Sequence, residues 1–401
     1  MKRYTALQQG LILLAMATMA HSVHATGSQQ SWIDTDCFSL YSLNMTIANQ
    51  RDCSAANAGH QFLGGYQLEY SVARYSYIIS TRLNYAIIGA SALSIMSGSD
   101  PSSFSDNGTP AAAGHNAGEQ FGNIGVWGNF SHSNLSDDFI NTPFDSNSRS
   151  GIVGADILLN DSTVVGAAFG YDDSDVDTPF NGGHQHVTGY TLTGYAASTL
   201  GSHFTVDANF GYANHDTDQT RIVSGFEAAV PFGLGAAGAG AVASSNVNAD
   251  RWFGAINLNG NWNINNVLLN AHGGYLYADE DFDADTESAA TVGTGAIVTT
   301  ALGSQHFVLG QFRVGGELSY DYHSILEPYL GIDYLYNNTR DQIAVGPGLS
   351  QPSNDRDELQ YSLGMRYFGD NGLSGTVEYT VSGSKRHMNY NAFMLTLRAD
   401  L

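Results

Sequence analysis

His184 and His186, in the stretch "GHQH", have the residue type and spacing best suited to ligating a metal ion in this chain. Imidazoles two residues apart on a strand share a face, and a zinc-type site needs further donors beside them. The local sequence supplies no third ligand, so the pair reads as ordinary polar sequence. Two acidic runs offer hard oxygen donors: "YDDSDVD" (Asp172, Asp173, Asp175, Asp177) and "ADEDFDADTE" (Asp279, Glu280, Asp281, Asp283, Asp285, Glu287). Neither has the twelve-residue ligand spacing of a calcium loop, so both read as solvated acidic loops. The nucleophile elbow G-x-S-x-G is absent. "GLGAAG" (Gly233 to Gly238) has a dinucleotide-like spacing without a βαβ unit and reads as a flexible loop tip. No catalytic residue, metal or cofactor is assigned, and no enzymatic activity is expected.

A second group of charges needs a different explanation. Arg313, Glu317, Glu327, Asp333, Arg366, Glu378 and Arg398 lie in segments that alternate apolar and polar residues, and all fall on the polar phase. The closing stretch "MNYNAFMLTLRADL" shows the pattern: Phe393, Leu395, Leu397 and Leu401 share one face, and Thr396, Arg398 and Asp400 the other. In "HFTVDANFGY", Phe204, Val206 and Phe210 likewise oppose Thr205, Asp207 and Asn209. Period-two alternation is the mark of a strand with two unlike faces. A soluble sandwich and a membrane barrel both produce it.

Segment length and connection length separate the two. From Gly122 onward there are twelve segments of about ten residues, the length a tilted membrane strand requires. Their cores are 122–131, 150–160, 163–172, 186–197, 203–214, 251–260, 266–278, 307–320, 325–337, 358–368, 373–382 and 389–400. Connections after even strands are short, as in "NDS" and "GDNG". Those after odd strands are mostly long and polar: 132–149, 173–185, 215–250, 279–306, 338–357 and the shorter 383–388. Long loops gathered at one end are the habit of outer-membrane barrels, with short periplasmic turns and long external loops. Asp207 must then face the lumen, because a carboxylate facing lipid is costly. The seven charges above share that interior, where opposite charges brace neighbouring strands.

The start of the chain agrees. Lys2 and Arg3, an apolar stretch from Leu11 to Ala20, and Val23-His24-Ala25 form a secretory signal over residues 1–25. No later apolar run is long enough for a spanning helix. Loss of Lys2 and Arg3 takes the net charge from -23 to -25, which excludes nucleic acid as a partner. Cys37 and Cys53, the two cysteines of an exported chain, are expected to form one disulfide.

Residues 119–401 resemble the C-terminal translocator barrel of the autotransporter family. The likeness lies in "GVWGNF", "SGIVGADILLNDSTVVGAAFGYDDSDV", "GYTLTGYAASTLGSHFTVDANFGYANHDTDQTR", "LEPYLGIDYLY" and "YSLGMRYF". The resemblance implies a twelve-stranded antiparallel transmembrane β-barrel in the outer membrane of a two-membrane bacterium. It further implies a non-enzymatic translocator, with the lipid bilayer and the outer-membrane assembly machinery as partners. Family members usually carry a large passenger and end on Phe or Trp; here the head is short and the last residue is Leu401.

Residues 26–118 therefore make a short N-terminal segment. Within it "QLEYSVARYSYIISTRLNYAIIGASALSIM" suits a helix through Tyr70, Ala73, Tyr77, Ile78 and Ile88, or a strand through Tyr75, Tyr77 and Ile79. The family places a helix in the lumen before the first strand. A small external or periplasmic helical domain, clipped by Cys37–Cys53, is the other reading. Two further functions fit the same pattern: a passive porin-like channel, and an adhesin whose external loops bind a host or neighbouring cell.

Overall fold

The computed structural model describes residues 68–84, 124–138, 143–160, 162–223, 233–264, 266–323, 325–340, 355–369 and 372–401. Among the described residues, fourteen strands follow one α-helix: β1 (Ile124–Asp137), β2 (Phe144–Asn160), β3 (Thr163–Thr178), β4 (Gly183–Leu200), β5 (Phe204–Ile222), β6 (Val242–Ile264), β7 (Val267–Phe282), β8 (Asp285–Ala290), β9 (Ile297–Leu302), β10 (Gln305–Tyr320), β11 (Leu326–Arg340), β12 (Asp357–Phe368), β13 (Leu373–Ser382) and β14 (Met388–Asp400). The helix, α1, spans 68–84. Twelve strands close an antiparallel barrel in chain order, β14 pairing with β1 and β5 with β6, while β8 and β9 form a hairpin beside β6. Closure leaves no unpaired strand edge for lipid to meet.

The two faces follow the alternation. Outward positions are apolar and exposed, among them Phe130, Val153, Leu192, Phe210, Leu330 and Leu363. Inward positions are polar and buried, among them Asn129, Ser131, Thr193, Asp207 and Asn209. On β14, Leu395 lies opposite Phe130 of β1 and Val377 of β13, and Phe393 opposite His132 and Tyr379. Phe393, Leu397 and Leu401 are exposed on the outer wall, and the Leu401 amide donates to the Ile124 carbonyl at 2.8 Å. Aromatic rings pair across strands where the apolar band ends, as Tyr171 with Tyr190 (5.3 Å between centroids) and Tyr212 with Trp252 (4.6 Å). An aromatic girdle at the head groups has this form.

The outer ends differ from the sequence reading. Strand extends well into the segments read as the loops 132–149, 173–185 and 215–250, leaving connections at 138–143, 179–182 and 223–241. β6 alone runs to 23 residues, about twice what the bilayer requires. Beyond the membrane the outer face of each extension meets water while the inner face stays buried, with Phe144, Val176, Gln219 and Arg221 on it, so the outward apolar alternation stops although the ladder of hydrogen bonds continues. The Gly233 to Gly238 stretch is no loose tip either. It forms a short 3-10 turn, Gly233–Ala237, whose Leu234 and Ala237 pack with Val223, Ala243 and Ala289.

The lumen is not a water channel with a charged wall. α1 fills it. No described helix is long and apolar enough to cross a membrane, and α1 lies within the protein instead. Leu68, Val72, Tyr75, Ile79 and Leu83 recur at helical spacing and form the principal apolar core with wall residues such as Ile152, Ala168, Ala197 and Met394. The barrel's main apolar core is therefore built by the helix it encloses.

Candidate functional site: the helix-filled lumen

A helix of this length rises about 25 Å, enough to traverse the apolar band of an outer-membrane barrel. Its direction is fixed by contacts at both ends. At the start, the Glu69 carboxylate pairs with Lys385 in the β13–β14 connection and accepts from Asn337 at 2.7 Å. Lys385 also reaches Glu358 at 2.9 Å, Tyr70 donates to Glu358 at 3.0 Å, and the Tyr70 ring stacks on Tyr390. This is the end of the longer connections.

At its other end Arg82 pairs with Asp156 near the foot of β2 and lies 4.5 Å over the Trp127 ring. Asn84 accepts from Thr205 at 2.8 Å and from Asn261 at 3.1 Å. The short connections from β2 to β3, β4 to β5 and β6 to β7 lie here, as do the first and last strand residues, Ile124 and Asp400.

Between the ends the contacts are polar and spread around the wall. Ser80 donates to Asp207 at 2.8 Å, and Asn257 and Asn259 donate to the same carboxylate at 2.7 and 3.0 Å. Asn209 donates to Ser76 at 3.0 Å. Arg74 bonds Ser133 and lies 3.7 Å from Asp172, while Arg251, paired with Glu280, donates to Ser71 at 2.9 Å. Gly170 allows close approach: a methyl group there would come within 2.7 Å of the Tyr75 ring. Among the described residues, a cavity of about 60 Å³ lies beside α1, lined by Ser76, Tyr77, Ser80, Asn257, His272 and Arg313 among others, and another of about 30 Å³ lies by Tyr70, Arg74 and Asp333. The larger has room for a few waters but is far short of a pore.

The charges singled out by alternation lie inside the barrel. Arg313 donates to Asp333 at 2.8 and 2.6 Å, with His272 2.5 Å from the same carboxylate. Arg366 donates to Glu317 at 2.6 Å and Glu327 at 2.7 Å, its guanidinium 3.8 Å over the Tyr329 ring. These pairs tie β10, β11 and β12 together. Glu378 accepts from Tyr329 at 2.6 Å and from Tyr77 of α1 at 3.0 Å, joining the wall to the helix. Arg398 bridges Asp156 at 3.1 Å and Asp400 at 2.6 Å. Cys37 and Cys53 lie outside the described residues.

Sequence reasoning did not single out Glu69, Arg74, Arg82, Asp156, Glu358 or Lys385. The available signal was the scarcity of cations: Arg74 and Arg82 are two of only 15 Lys and Arg, and both lie in a segment otherwise rich in apolar and hydroxyl side chains. The acidic runs also divide by face, with Asp172 and Glu280 turned inward to arginines. On the outer wall, Asp173 and Asp175 come together with His186, and Asp279 and Asp281 with His306.

The sequence model of the autotransporter beta-domain matches residues 126–380. The fold is similar to the translocator domain of autotransporter NalP from Neisseria meningitidis, with TM-score 0.57 at 15% identity, covering 82% of this chain and 98% of that one. It is also similar to the beta domain of the Bordetella autotransporter BrkA, with TM-score 0.52 at 12% identity, covering 69% and 99%. No curated protein matches the chain in sequence.

Proposed function

The chain belongs to the autotransporter β-domain family and is an outer-membrane translocator barrel; from that premise we propose that it delivers its own short segment, residues 26–67, to the cell surface and is sealed by α1. The observation that carries this reading is the polarity of α1. Its first turn is held at the long-connection end by Lys385 and Asn337, and its last at the short-turn end by Asp156 and Thr205. A chain threaded in that sense emerges externally ahead of residue 68 and returns to β1 from the periplasmic side. Residues 1–25 act as the export signal, and a Cys37–Cys53 bridge closes part of the delivered segment. The barrel anchors and transports without an enzymatic step. The assembly machinery reads β14, through the outward residues Phe393, Leu395, Leu397 and Leu401, before it closes on β1. An open pore is the weaker reading, because α1 occupies the space that conduction requires.

An epitope inserted after Gly59 tests the proposal. Antibody should label it on intact cells. Labelling only after the outer membrane is permeabilised reverses the threading and refutes the reading.

A further inference from the structure

On β3 and β4, just beyond the paired rings of Tyr171 and Tyr190, five side chains face outward together: Asp173, Asp175, Asp177, His184 and His186. The antiparallel register sets Asp175 opposite His186 and Asp177 opposite His184. Each histidine is thus flanked by one direct and one diagonal carboxylate, both within cross-strand reach. His186 Nδ1 lies 3.0 Å from Asp175 Oδ1, and its Nε2 is 3.9 Å from Asp173 Oδ2. His184 Nε2 lies 3.6 Å from Asp175 Oδ1, and its Nδ1 is 2.9 Å from Asp177 Oδ1.

We propose that this outward face of the β3–β4 hairpin binds one divalent transition-metal ion of the zinc class, through Asp173, Asp175 and His186, with His184 as a fourth donor. The separations suit it. Two donors bound to zinc at about 2.0–2.1 Å in a tetrahedral arrangement stand roughly 3.4 Å apart. Each imidazole gives one nitrogen to the ion; one ligand atom each from Asp173, Asp175 and His186 lies within 4.8 Å of the other two, and His184 Nε2 stands 3.6 Å from Asp175 Oδ1, so side-chain rotations on a rigid ladder close the remaining gap. Asp177 plays the supporting part that carboxylates play behind metal-bound histidines, holding Nδ1 and aiming Nε2 inward to the site. The donor set also chooses the metal. Imidazole with carboxylate suits zinc, nickel or copper, whereas magnesium and calcium prefer oxygen alone. The ligand spacing escaped the sequence because two of the donors come from the neighbouring strand, not from the histidines' own.

The test uses the full chain refolded in detergent micelles and equilibrium dialysis against micromolar Zn²⁺ with millimolar Mg²⁺ present. Wild type should retain zinc, and Co²⁺ in its place should give the visible absorption of a nitrogen- and oxygen-liganded ion. The His184→Ala/His186→Ala double variant should lose one equivalent, its affinity falling at least tenfold. His306→Ala, altering the separate group at Asp279 and Asp281, should leave that equivalent in place. Heat-modifiable migration establishes that both variants are closed barrels. Zinc retained equally by the double variant, or displaced by Mg²⁺ in wild type, overturns the proposal.

Discussion

Arg82→Ala should turn a sealed barrel into a leaking one without unfolding it. The Arg82 side chain is 5% exposed and Asp156 3%, so their pair is shielded from solvent. Removing one partner of a buried pair costs about 3–5 kcal/mol, chiefly by stranding the other charge. Asp156 keeps Arg398 at 3.1 Å, which places the loss at the lower end, about 3 kcal/mol. The stacking over Trp127 is lost as well. At about 1.4 kcal/mol per factor of ten, α1 should leave its seat roughly a hundred times more often. The readout is single-channel conductance in planar bilayers, where wild type should be closed nearly all the time and the variant should show frequent openings. Deletion of 68–84 sets the fully open level. The barrel ladder contains none of the deleted contacts, so heat-modifiable migration should be unchanged. Openings within twofold of wild type, in a variant that is folded, would refute the assignment of α1 as the seal.

Three other outcomes follow from the same geometry. Leu395→Arg puts a cation on the lipid face between Phe130 and Val377 and should cost roughly 2–4 kcal/mol at the midplane; Thr396→Val replaces the hydroxyl that accepts from Asn129 at 2.8 Å with a methyl, about 1 kcal/mol. Gel migration after graded heating should rank them in that order, and equal behaviour would contradict the faces assigned to β14. Gly170→Ala should raise conductance modestly while leaving the barrel folded, since the added methyl meets Tyr75 at 2.7 Å; unchanged conductance would mean that α1 does not rest on β3. Lys385→Met takes the cation from between Glu69 and Glu358 and should loosen the outer turn of α1, seen as faster amide exchange over residues 68–72 with residues 80–84 less affected. Uniform exchange along α1 would count against a lock at the outer end.

The twelve strands and their faces were legible because a membrane wall imposes one apolar and one polar side on every strand. Asp207 and Arg366 could be turned inward on that ground alone. The strand extensions were not legible, since Asp175, Asp216 and Asn246 belong to stretches that are wet outside the membrane and polar inside the barrel. α1 was ambiguous for a related reason. A helix in a polar lumen has no solvent face, so Ser76 and Ser80 meet Asn209 and Asp207 while Leu68, Ile79 and Leu83 meet the apolar part of the wall. The resulting pattern is neither a plain amphipathic helix nor a strand. Individual partners such as Lys385 for Glu69 depend on barrel closure, which brings together positions more than three hundred residues apart.

The charges of α1 also explain why it sits one way round. Its acid, Glu69, lies at the end where Lys385 waits, and its bases, Arg74 and Arg82, lie beside Asp172 and Asp156. Turned end for end, Arg82 would approach Lys385, and Glu69 would approach Asp156. Each end would trade an opposite charge for a like one, offset only in part by Glu358 beside Lys385 and Arg398 beside Asp156, in a space with little water to screen charges, where such forces are far stronger than in bulk solvent. The apolar residues impose no such direction, because Leu68, Val72, Ile79 and Leu83 run as a stripe along the axis. Packing therefore holds α1 in the barrel, while three ion pairs decide its sense. That sense in turn determines the side on which the preceding residues must leave.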